Sequence, residues 1–168
     1  MSTFEDNRYR WRETYFVLFP ADRQPKLKVV EKCLSAISKR YLLSQQTADA
    51  EGGFESLTLA APEDFAALDI CYTSGAEVAE QVALMVRELA PTIEPAQRGM
   101  LKRLKQCDGR FDVLHFEQVA DLPADDEEQA DDELLDPSAL LAVLEALARI
   151  TDGVAVDPQS GTILSTED

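Results

Sequence analysis

The chain has 168 residues, room for one domain with an appendage but not for two enzyme-sized domains. Apolar residues make up 45% of it, enough to bury a core and offset the entropy of ordering. Its 16 Lys and Arg against 32 Asp and Glu give a net charge of −16, which repels phosphate backbones and anionic lipid and argues against a nucleic-acid or membrane-surface binder.

The charge is uneven. Residues 1–60 carry nine basic and eight acidic side chains, whereas the stretch Asp121–Asp136 holds nine acidic residues and no basic one. The first residues lack a basic segment followed by an apolar one, and no window approaches the ~18 apolar residues of a membrane span. Cys33, Cys71 and Cys107 are odd in number and far apart, which excludes a disulfide framework and a CxxC motif. The expectation is a soluble, cytoplasmic protein with no metal and no cofactor.

In chain order, Glu13–Phe19 is a β-branched and aromatic run ended by Pro20, the pattern of a strand covered on both faces. Leu27, Val30, Leu34, Ile37 and Tyr41 then fall three and four residues apart, predicting a helix over 25–40. Residues 42–47, 54–60 and 66–73 read as successive strands separated by turn chemistry. Ser74 with Glu77 suggests a capping box for a helix over 75–89, stopped by Pro91. A shorter helix over 96–107 ends at Asp108-Gly109, after which 111–119 resumes strand character.

The acidic run reads as a solvated linker. Asp136 and Pro137 suit the N-cap and first position of a helix ending before Gly153. A hairpin follows, with Val154–Val156 and Thr162–Leu164 flanking a turn. The predicted fold is α+β: a ferredoxin-like antiparallel sheet with helices on one face over 1–119, an acidic linker over 120–136, and a helix-hairpin appendage over 137–168 expected to pack on the same core. Strands succeeding one another over 42–73 argue against a doubly wound sheet.

Candidate sites are few. His115 is the only histidine, and period two puts it on one strand face with Glu117 and away from Asp112. The pair is a weak catalytic candidate and more readily a structural one. The three thiols have no evident base or helix N-terminus beside them, which points to inert cysteines. Asp125–Asp136 fails as an EF-hand loop because its sixth position is Ala130 and its twelfth Asp136.

Arg8, Arg10 and Arg12 interleave with Tyr9 and Trp11, and Arg98, Lys102, Arg103 and Lys105 form a second basic patch. Gly53-Phe54 starts like an RNA-recognition motif, but Glu55, Ser56 and Leu59 break it. Nucleic-acid binding is therefore not expected. The helix over 137–151 is apolar around well over half its circumference, so Leu140, Leu141, Leu144 and Leu147 must bury either in the chain's own core or in a partner. The functional expectation is a non-catalytic domain acting through protein contacts, with self-association through that helix. A small-molecule-binding regulatory domain, or an enzyme using His115 and Glu117, are the alternatives.

Overall fold

The computed structural model describes residues 9–118 and 137–164. Seven strands, β1 (Tyr9–Phe19), β2 (Leu42–Ala48), β3 (Phe54–Ala61), β4 (Ala66–Ser74), β5 (Gly109–Gln118), β6 (Val154–Asp157) and β7 (Thr162–Ile163), form one antiparallel sheet in the order β2-β3-β4-β5-β1-β6-β7. Four helices accompany it: α1 (Leu27–Ile37), α2 (Ala76–Leu89), α3 (Arg98–Leu104) and α4 (Ser138–Thr151). This α+β architecture matches the expected class, and its strand order is unusual for a ferredoxin-like sheet.

The helices do not share one face, which corrects the sequence expectation. Val17 and Phe19 of β1 join Phe111, Val113, Leu68 and Ile70 in a core that also takes Val30 and Leu34 of α1 and Leu140, Val143, Leu144 and Leu147 of α4. The alternate residue Leu18 joins Val154 and Val156 under α2 and α3, with Val78, Val82, Met100 and Leu104. A strand apolar at four consecutive positions, Phe16–Phe19, has two faces to cover, so one helical layer is insufficient. The second face turns polar toward β2, where Thr47 and Ser56 hydroxyls lie 2.7 Å apart and Thr58 donates to Asp69 at 2.7 Å.

The C-terminal segment is built into the sheet. β6 pairs with β1 through Phe16↔Val156 and Leu18↔Val154, and Leu140, Val143, Leu144 and Leu147 of α4 lie in the core. Gly153 makes the tight join possible: a Cβ there meets the Leu18 carbonyl at 2.6 Å.

Helix starts differ from expectation in one instructive place. Ser74 ends β4, and α2 is capped by Gly75 at φ 122° with no side-chain hydrogen bond. Reversing from strand to helix in one residue needs a φ that only glycine adopts cheaply, and this displaces the Ser74 and Glu77 capping box. α4 begins with Pro137 at its N-cap. The proposed cap Asp136 and the acidic linker lie outside the described residues.

Candidate functional site

Two of the three buried polar side chains among the described residues, His115 and Glu117, lie where β1 and β5 pair; the third, Thr151, donates to the Leu147 carbonyl within α4. The register runs Arg10↔Glu117, Trp11↔Phe116 and Glu13↔His115, with a bulge that makes Arg12 the extra residue. A bulge resets the alternation of faces. Arg10, Glu13, His115 and Glu117 therefore fall on one face, and Arg12 reaches the same cluster.

Glu117 is 4% exposed and ion-paired with Arg10, while Arg12 Nη1 lies 3.4 Å from its Oε2. His115, 1% exposed, has Nδ1 at 3.3 Å from Glu13 Oε1. The Tyr15 hydroxyl donates to the same Glu13 oxygen at 3.4 Å; burial and that carboxylate push the phenol up to about 12. Among the described residues His115 Nε2 has no hydrogen-bond partner. Burial holds its imidazole below the ordinary histidine range, against an opposing pull from Glu13. The neutral ring with its proton on Nδ1 satisfies this arrangement, since it donates to Glu13 and leaves the unpaired nitrogen uncharged.

His115 and Glu117 thus share a face as expected, but the carboxylate that orients the ring is Glu13, which sequence reading did not pick. Asp112 is on the other face, held by Arg110 at 2.5 Å, with the Arg110 guanidinium over the Phe16 ring at 4.4 Å. Neither His115 nor Glu117 lines either of two surface cavities. One, about 590 Å³, is edged by Gln24, Thr47, Asp49, Ser56 and Tyr72. The other, about 380 Å³, lies between α2 and the β6–β7 turn, edged by Leu84, Met85, Leu89 and Gln159. A general base must reach a substrate proton; His115 and Glu117 are buried and stand opposite Leu68 and Ala66 in the β4–β5 register.

The remaining candidates separate. Leu140, Leu144 and Leu147 are at most 3% exposed in the chain's own core, whereas Leu141 is 55% exposed. Arg10 and Arg12 serve Glu117, Arg103 holds Asp152 at 3.0 Å, and Lys102 and Lys105 sit on or just after α3. The two basic patches do not meet, since the Asp152 that Arg103 holds adjoins the Phe19 end of β1 and Glu117 pairs near the Tyr9 end. Arg8 lies outside the described residues. Phe54 is fully buried, edge-on to Phe111, and has no face to offer a base. Burial pushes the Cys107 thiol up to about 11 and raises those of Cys33 and Cys71.

Among the described residues no three His, Cys, Asp or Glu side chains come together as metal ligands, and no helix is long and apolar enough to cross a membrane. Comparison with protein-family models, curated proteins and solved structures finds no match.

Proposed function

We propose that the chain is a non-catalytic α+β module of the cytoplasm that acts through protein–protein contacts. The observation that supports this reading is β2, an edge strand in which Leu42, Ser44, Gln45, Gln46, Thr47 and Ala48 are all exposed. An open strand edge is a ready template for another chain. The contact surface moves from the expected helix to this edge, because α4 has only Leu141 to offer. A small-molecule role has less support, since the larger cavity is open and polar-lined, while ligand sites are mostly enclosed and apolar.

The reading is tested with a photo-crosslinking side chain in place of Ser44, in the full chain in its own cells. Protein adducts at that position support it. Adducts confined to the same molecule, at all expression levels, refute it.

A further inference from the structure

We infer that the open edge of β2 pairs with β2 of a second copy of this chain, antiparallel about a two-fold axis at Gln45. This rests on the protein-contact reading and fixes its occupant.

Three observations select a second copy. β2 ends the sheet, and none of its seven residues is charged in a chain that is 29% Asp, Glu, Lys and Arg. Natural edges are commonly blunted by lysine or proline, and β2 contains neither. The far side of the sheet is uneven: β7 is two residues long and β6 pairs with only Phe16–Leu18 of the eleven-residue β1. Such a stepped edge, with Arg12 and Glu13 on its β1 part, does not match the uncharged β2 along one line for head-to-tail stacking, whereas a two-fold contact uses the same edge twice and closes.

Charge selects the direction. Lys39 lies three residues before β2 and Glu51 three residues after it, and both are exposed. Both lie in the turns that flank the strand, and an antiparallel pair centred on Gln45 brings the Lys39 turn of each copy alongside the Glu51 turn of the other, so symmetry sets opposite charges together at both ends. A parallel pair sets Lys39 beside Lys39. Within the chain, Glu51 uses its backbone carbonyl to accept from Lys26 Nζ at 2.9 Å, which leaves its carboxylate outside that bond. Leu42, 60% exposed, gains cover from the incoming strand.

Gln45 also limits the contact. Its φ of 54° and the register shift between Ser44 and Thr47 interrupt the regular ladder. Pairing one short strand also covers less than the ~1,600 Å² of a standard interface. The dimer is therefore weak and concentration-dependent.

The test is sedimentation of the full chain over a wide concentration range, with hydrogen exchange of residues 42–48 followed in parallel. The expected result is a monomer–dimer equilibrium in which those amides gain protection as dimer forms. Lys39→Glu and Glu51→Lys each weaken the dimer about five-fold, and the double swap restores it. Leu42→Lys with Ser44→Lys, both exposed, shifts the chain to monomer. A monomer at every concentration overturns the inference, as does a dimer whose 42–48 exchange does not change. If the Ser44 crosslinker meanwhile captures a different protein, the protein-contact reading stands and only the second copy is lost. If it captures none, both fall.

Discussion

His115 and Glu13 meet across the β1–β5 seam, Nδ1 to Oε1 at 3.3 Å, from positions 102 residues apart. Because the ring is buried and its other nitrogen has no partner among the described residues, the pair ties the fold to pH. Burial lowers the folded-state value of His115, with Glu13 pulling the other way and Arg12 and Glu117 also facing the ring. As pH falls through the unfolded value of about 6.5, the unfolded chain binds a proton that the folded chain resists. Stability is therefore lost over that window and contributes no slope well above it. Urea midpoints at pH 7.5 and 5.5 are expected to differ more for wild type than for His115→Gln. Equal differences in the two chains refute the assignment.

Glu117 and its two arginines are unequal partners. The carboxylate is buried and the guanidinia are partly exposed, so removing the acid frees groups that water can solvate, whereas removing both bases strands a buried charge. Glu117→Gln is expected to cost about 1 kcal/mol and the Arg10→Ala, Arg12→Ala double about 3 kcal/mol. Each single arginine variant should cost less than half the double, because the other still serves Glu117. Chemical denaturation of the four chains decides this, and strict additivity counts against it.

The leucines of α4 divide sharply. Leu140→Ala, Leu144→Ala and Leu147→Ala should each destabilise by about 2–5 kcal/mol, since each empties core volume. Leu141→Ala should stay within about 0.5 kcal/mol. A Leu141 variant as damaging as Leu144→Ala places the helix differently from the contacts described.

Thiol reactivity should follow exposure. Cys71 is exposed on β4, while Cys107 is buried and its Sγ donates to the Arg103 carbonyl at 3.3 Å. In native protein at pH 8 a disulfide reagent is expected to modify Cys71 slowly: the residue is exposed, but partial desolvation of its sulfur and the Asp69 and Asp112 carboxylates raise the thiol. Cys107 should stay unmodified until denaturant is added. Mass mapping that finds Cys107 modified first refutes the order.

Gly153→Ala probes the α4–β6 join. Its added methyl meets a main-chain carbonyl at 2.6 Å and Thr151 Oγ1 at 2.8 Å, and the backbone has little room to yield. The expected cost is about 1–3 kcal/mol, read from the thermal midpoint; an unchanged midpoint refutes the close approach.

Local signals carried the element list well. The apolar run Val17–Phe19, the 3–4 spacing from Leu27 to Ile37 and the turns at Gly52-Gly53 and Pro62 each act within a few residues, so strands and helices fall within a few residues of expectation. The polar cluster was not legible for a definite reason. In unbroken alternation Arg12 and Glu13 occupy opposite faces, and only the bulge brings them onto the face of His115. Nothing within one turn of His115 announces a carboxylate on β1. The all-round apolar character of α4 was legible, but its docking site was not. Leu140, Val143, Leu144 and Leu147 make the buried stripe, and only the sheet's second strand pairing shows where that stripe lands.

The interior place of β1 in the sheet, between β5 and β6, bears on how the chain reaches its native state. Its two sheet neighbours come late: Arg10 bonds Glu117, 107 residues away, and Phe16 pairs with Val156. A nascent chain emerging from the ribosome therefore presents the apolar run Phe16–Phe19 long before either flanking strand exists. Such non-local closure folds slowly and leaves aggregation-prone surface exposed. A chain that ends before β6 leaves the Phe16–Leu18 edge of β1, the most apolar part of the strand, without its strand partner.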